Sequence, residues 1–358
     1  VWSTVEKFSM DIKGMEDGMK RILIAVGLVV ALGLLGACSK APPQDAVDPV
    51  EQAWSDFRAS YDAAETTAEK LPLIQAFMRE HPDTEYAGRL ASSVAYYQGE
   101  EMDDPEGAYG LLAETLAKNT DPEARYQIGT AMFPLAMDLG KPMDLGSVAE
   151  ELAATRSLDF SEMTDIADLA LAHGQWEVGA AYADAAFKMA TPEAFLADYP
   201  DDDFTAEEAA AKADRRKVIS LADLGWALWN LGQPDEAMAA FERAAPLKTV
   251  NYVGAADTPL DTYHGKAMLA AGDPAAAMKL LAAGAVMGSD DDAMTAVREA
   301  YVAAKGSGEG FDEWIWSQRE ALAKPVDTFT LADYEGNPQD FSALADGKVT
   351  LLAFWFPT

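Results

Sequence analysis

Few side chains in this sequence are placed to do covalent chemistry, and the most reactive of them stands alone. Cys38 is the single cysteine, which excludes an intramolecular disulfide, a CxxC redox pair within the chain and a cysteine-rich zinc site. His81, His173 and His264 lie far apart with no carboxylate at ligand spacing, so structural or solvated roles are expected for them and no metal or cofactor is assigned. Lys305-Gly306-Ser307-Gly308-Glu309-Gly310 is glycine-rich but lacks the spacing and the preceding strand of a phosphate-binding loop, and reads as a linker. The acidic runs Asp201 to Asp203 and Asp290 to Asp292 lack the alternating acids, central glycine and distal glutamate of a calcium loop, which leaves helix capping as their expected role. Trp226 with Trp229, or Trp314 with Trp316, would suit either a groove or plain helix packing. No catalytic residue is assigned.

The neighbours of Cys38 give it a different chemistry. Lys20 and Arg21 precede an unbroken apolar run from Ile22 to Leu35, too short for a spanning helix and the right length for a signal-peptide core. The run ends in Leu35-Gly36-Ala37-Cys38, small residues where a peptidase must approach the backbone. This segment resembles the bacterial lipobox; a buried structural cysteine after a coincidental apolar helix is the alternative. The resemblance implies that Cys38 receives a diacylglyceryl group on sulfur, becomes the new N-terminus and is acylated again, and two or more chains anchor stably where one is marginal. By the same resemblance, Ser39 after the lipid site favours the outer over the inner membrane of a bacterial envelope, with the protein facing the periplasm. Residues 1–37 are then an upstream segment and signal peptide, with Met19 the natural start, and 38–49 form a stiff, proline-bearing tether.

Elements to position any further chemistry must come from the rest of the 358 residues, a length that predicts about two domains. Hydrophobic residues make up 49% and charged residues 24%, the composition of a folded chain. With 27 Lys and Arg against 60 Asp and Glu, the net charge of −33 repels polyphosphates, so nucleic acid is excluded as a partner.

From residue 50 to 324 the sequence is rich in Ala, Leu, Glu and Met, with apolar residues at helical spacing; Trp54, Phe57 and Tyr61 share one helix face. Leu221, Leu224-Gly225 and Leu228 precede a turn at Gly232-Gln233-Pro234, followed by Ala237, Phe241 and Ala244. Glycine and alanine are small where two antiparallel helices touch, Gly232 ends the first helix, and Pro234 begins the second. Forty residues on, Gly265, Met268, Gly272-Asp273-Pro274, Ala277, Leu281 and Gly284 occupy equivalent places. Weaker copies surround Asp103-Asp104-Pro105, Gly140-Lys141-Pro142 and Gly174-Gln175-Trp176. These spacings resemble the tetratricopeptide repeat, although most of its consensus Trp, Tyr and closing Pro are missing; an unrelated helical bundle is the alternative. The resemblance implies a helical solenoid that binds peptides or packs on a neighbouring domain. The longest interval contains Thr191 to Ala211, whose acidic segment Asp201-Asp202-Asp203 reads as an insertion or a helix start.

After Lys324-Pro325 the character changes. Phe329-Thr330-Leu331 predicts a strand, Asp333 to Asn337 a turn, Gln339-Asp340-Phe341 the returning strand, and Ser342-Ala343-Leu344 a short helix. Gly347-Lys348 precedes Val349 to Phe356, an apolar run suited to a central strand covered on both faces, which would fray or aggregate without neighbours. Phe329, Leu331, Asp333, Gly336, Phe341, Leu344, Gly347-Lys348, Leu351 and Phe354-Trp355 resemble the start of the redoxin families of the thioredoxin fold, especially TlpA-like thiol-disulfide oxidoreductases, with peroxiredoxin relatives as the rival. In that family the first cysteine of CxxC comes next, so Trp355, Pro357 and Thr358 are expected to flank a redox motif that the chain does not contain. A UGA codon for selenocysteine at that position and an ordinary fragment or frameshift are the two explanations.

The expected fold class is therefore mainly α: a tetratricopeptide-like helical solenoid followed by an incomplete α/β thioredoxin-like domain over 325–358. Envelope protein thiols, disulfides or peptides are the expected partners, besides the lipid bilayer reached through acylated Cys38. A non-catalytic, lipid-anchored helical-repeat adaptor is the alternative function.

Overall fold

A computed structural model describes residues 48–200, 202–248, 259–286, 291–322, 329–333 and 335–345. The chain divides into two units, 1–56 and 57–358. The described part of the first is the opening of helix α1 (Pro49–Ala63).

The second unit is a succession of helices: α2 (Thr67–Glu80), α3 (Glu85–Val94), α4 (Pro105–Lys118), α5 (Pro122–Asp138), α6 (Leu145–Ala153), α7 (Phe160–Ala172) and α8 (Trp176–Met189). There follow α9 (Pro192–Asp198), α10 (Ala206–Asn230), α11 (Pro234–Ala244), α12 (Leu260–Ala270), α13 (Pro274–Ala285), α14 (Asp291–Lys305) and α15 (Phe311–Leu322). Among the described residues, no helix is long and apolar enough to cross a membrane.

Short polar side chains set the helix starts. Asp104 accepts from the Gly107 N–H at 3.0 Å, Asp121 from Ala124 at 2.8 Å, Asp159 from Glu162 at 2.8 Å and Asp273 from Ala276 at 3.0 Å. Each satisfies an amide that has no partner within its helix, a contribution of about 1 kcal/mol. The acidic runs singled out in the sequence do less of this than expected. Thr205, not Asp202 or Asp203, caps α10 in a reciprocal box with Glu208, because its hydroxyl sits three residues before that glutamate. Asp292 stands in the first turn of α14, where its charge suits the helix dipole. Asp201 and Asp290 lie outside the described residues.

The hairpins follow the expected pattern most closely in α10/α11 and α12/α13. Gly232 (φ +75°) and Gly272 (φ +87°) reverse the chain in the left-handed region, and Pro234 and Pro274 open the next helix. A Cβ on Gly225 would lie 2.5 Å from Phe241, and one on Gly265 would lie 2.5 Å from Leu281. The two helices of each pair therefore touch backbone to side chain. Phe241 and Leu281 are wholly buried, together with Ala237, Ala244 and Ala277.

Earlier copies vary the theme. Between α7 and α8, Gly174 takes φ +73° and a Cβ on Gly179 would meet Leu171 at 2.7 Å. Ahead of α4, Asp103 adopts φ +54° where the other turns use glycine, and the helix preceding it ends in a wider π-helical segment, Ala95–Glu101. Pro142 departs from its expected place. Gly140 does reverse the chain (φ +65°), but α6 starts at Leu145, capped by Asp144 on Gly146 N–H at 3.0 Å. Gln175 holds the intervening stretch by donating to the Met143 carbonyl at 2.7 Å.

The glycine-rich segment after Lys305 is a short connection inside an α14/α15 pair. Gly306 and Gly310 adopt positive φ, and the Tyr301 hydroxyl donates to the Glu309 carbonyl at 3.0 Å. Trp314 packs on Tyr301 and Phe311, whereas Trp316 is 59% exposed beneath the Arg319 guanidinium. Trp226 stacks on Tyr263 at 5.2 Å.

Near the C-terminus, β1 (Thr330–Ala332) pairs antiparallel with β2 (Pro338–Asp340), with Thr330 opposite Asp340 and Ala332 opposite Pro338. Asp333 makes the turn by accepting from the backbone of Glu335 at 2.9 Å and of Asn337 at 2.8 Å. Phe341 belongs to the short helix α16 (Phe341–Ala345) rather than to the returning strand, and its ring stacks on Phe329 at 4.7 Å. These are the two strands among the described residues; Val349 to Phe356 lies outside them.

Candidate functional site

The site residues expected from sequence, Cys38 with Trp355, Pro357 and Thr358, all lie outside the described residues, so no geometry brings them together. The histidines are placed, and each rests on a phenylalanine: His81 on Phe77 at 4.9 Å, His173 edge-on to Phe133 at 5.3 Å, and His264 stacked on Phe241 at 5.0 Å. Burial pushes the His264 imidazole below its ordinary pKa, keeping it neutral against the ring. Among the described residues no three His, Cys, Asp or Glu side chains are grouped to hold a metal ion.

The most distinctive site is one that motif reading missed. It lies where α9 fills the long interval between hairpins. Phe195 and Tyr199 on and just after α9, and Phe204 in the following loop, form an aromatic cluster with ring centroids 4.9 to 6.1 Å apart. Phe160 closes the opposite wall from the first turn of α7. Between them opens a hollow of about 390 Å³, with Lys212, Arg215 and Arg216 along its α10 side and Ser161 and Thr164 on its α7 side. Lys212, Arg215, Arg216 and Ile219 follow the i, i+3, i+4, i+7 spacing of one helix face, a signal that was present in the sequence.

Arg216 organises this hollow. Its guanidinium lies 4.5 Å from the Phe160 ring centroid and 4.9 Å from that of Phe195, a cation held between two aromatic rings. Only 12% of the side chain is exposed. Its Nη1 is 2.7 Å from Asp198 Oδ2, yet the angle leaves that nitrogen without a hydrogen-bond acceptor among the described residues. Nη1 itself is closed off from solvent beside Asp198, and Arg216 meets the hollow through the rest of its side chain.

On the same long helix, nearer its C-terminal end, lies an opposite kind of group. Asp223 is wholly buried, and neither carboxyl oxygen has a hydrogen-bond partner among the described residues. Burial pushes its carboxyl well above the ordinary carboxylate range, and the charge of Asp168 on α7 pushes it further. Asp168 is itself raised to about 6, by burial and then by Asp165. A protonated Asp223 is the form that avoids an unpaired buried charge.

No protein-family model matches the sequence, and no curated protein matches it. Among solved structures, the chain is similar to a tetratricopeptide repeat protein from Parabacteroides merdae ATCC 43184, at 13% identity and a TM-score of 0.31, over 70% of this chain and 98% of that one. A likeness at that score carries no argument. The hairpins of this chain carry it instead: the described part is a mainly helical repeat protein, with tetratricopeptide-like pairs best formed in α10/α11 and α12/α13.

Proposed function

We propose that this protein is a non-catalytic adaptor, anchored in a bacterial envelope through acylated Cys38 and facing the periplasm, whose helical hairpins bind envelope polypeptides. The observation that supports this reading is the serial, small-residue hairpin architecture, which offers stacked helix surfaces. The outer membrane is the favoured location. Two measurements test the reading in a proteobacterial host. A clickable fatty acid should label the protein, and Cys38→Ala should abolish labelling. A photo-crosslinking amino acid at Tyr199 should give one discrete crosslinked band in vivo, whereas no band from there or from any exposed hairpin position would sink the adaptor.

A second reading is that the full gene product is a TlpA-like or redoxin-type thiol-disulfide oxidoreductase, with cysteine or selenocysteine at the first catalytic position, and that the helical array selects its substrates. It is favoured by the β1-turn-β2-helix order over residues 329–345, with Phe329 stacked on Phe341. Reading the codons after Thr358 and assaying insulin reduction by any extended product decides it. Turnover lost on mutating a downstream CxxC or UxxC supports it, and unrelated codons remove it.

A further inference from the structure

We propose that the hollow between α7, α9 and α10 is a binding site for a singly charged carboxylate borne on an apolar or aromatic body. Its volume of about 390 Å³ falls in the range of small-molecule sites, about 300–1,000 Å³. The walls sort the ligand into two parts. Phe160, Phe195, Tyr199 and Phe204 supply an apolar, aromatic lining, while Lys212 and Arg216 put positive charge at one side of it.

Arg216 is the anchor because it meets three conditions together. It lines the hollow, it is largely desolvated between two rings, and Asp198 takes up only part of a five-donor group. A carboxylate in the hollow would gain a charge-assisted hydrogen bond from these cations. The preference for one negative charge follows from the whole molecule. A net charge of −33 repels each additional ligand charge, so a dianion gains less from the same local cations than a monoanion does. The chemistry has two sources, a free aromatic carboxylic acid or the C-terminal carboxylate of a polypeptide ending in an apolar residue. The inference is independent of the lipid tether and of the exchange reading, and its peptide arm alone would sharpen the adaptor reading.

Isothermal titration of the purified chain tests it with 3-phenylpropionate, 3-phenylpropionamide, the peptide Ala-Leu-Phe as free acid and as C-terminal amide, and phenyl phosphate. At least one acid should bind about tenfold or more tightly than its amide, and phenyl phosphate should bind no more tightly than that acid. Arg216→Met should remove the acid-over-amide preference. Because that variant also loses packing against two rings, the Lys212→Gln/Arg215→Gln double variant, on exposed positions, provides a second reading and should reduce the preference about threefold or more. Binding of phenylpropionate without the peptide acid assigns a small-molecule source, and binding of the peptide acid assigns a chain terminus. Equal binding of acids and amides, no saturable binding by a folded wild-type chain, or tighter binding of the phosphate would overturn the proposal.

Discussion

The α12/α13 hairpin and the α9/α10 region use their helices to opposite ends. In the hairpin, Gly265 has no side chain to hold the helices apart, and Leu281 fills the space it leaves. In the α9/α10 region, large rings and cations line the space between elements, which stays open as a hollow. Small residues close a repeat; bulky ones inserted between two repeats make a site. The contrast also separates two kinds of burial on α10. Arg216 is buried with rings and an acid around it, whereas Asp223 is buried with no hydrogen-bond partner among the described residues.

The sharpest way to break the closed half of this contrast is to put a side chain where the repeats have none. Gly225→Leu and Gly265→Leu should each destabilise the protein by about 3 kcal/mol in urea unfolding, since the facing Phe241 and Leu281 would have to move away from the glycine-bearing helices. Gly110, which has nothing within 4 Å of a Cβ, is the control, and Gly110→Ala should stabilise by about 0.5–1 kcal/mol through helix propensity.

Next in size is the response to pH. The folded chain holds protons on Asp223 and Asp168 that the unfolded chain releases near pH 4, so it binds more protons than the unfolded one above that pH. Stability from this pair is therefore full below about pH 4 and is lost as pH rises through 6 and beyond. Asp223→Asn should flatten that decline between pH 5 and 8, as followed by urea midpoints. A slope unchanged in the variant would mean that Asp223 is not the group responsible.

The smallest effect belongs to the open half. Thr205→Ala removes the reciprocal cap at the start of α10 and should cost about 1 kcal/mol. If the end of α10 that carries Lys212 and Arg216 depends on that cap, amide exchange should quicken over residues 206–212 before it quickens in α11.

Sequence reading served the closed half well because its signals are local. A left-handed glycine followed by a proline at the first helical position needs no knowledge of the rest of the chain, and the 40-residue recurrence supplied the check. Pro142 shows the limit of that rule. Proline also suits extended backbone ahead of a cap, and Asp144, two residues on, offered the acceptor that α6 needed. The β1-turn-β2 hairpin was legible for the same reason: Asp333 and Gly336 make the turn through their own neighbours. The hollow was not legible, since Phe160, Phe195 and Phe204 come from three elements and meet only after folding. Half of it was written in plain view, however, in three cations at helical spacing within a strongly acidic chain. Asp223 was visible too, as an acid inside the apolar run Leu221-Ala222-Asp223-Leu224, but its lack of partners is a tertiary fact.

The wide winding of Ala95–Glu101 has a consequence for phase. A π-helical stretch advances the chain with one residue more than an α-helix would use, and so sets the direction in which every later side chain leaves. Here it delivers Gln98 to both Gln75, at 2.9 Å, and Asp104, at 2.7 Å. Deleting one residue from this stretch would let ordinary winding resume and swing Gln98 away from both, unlatching the reversal that rests on Asp103, the one non-glycine residue in the left-handed region among those described. The stretch thus acts as a rotational spacer, and a one-residue deletion there would misdirect α4 without touching its sequence.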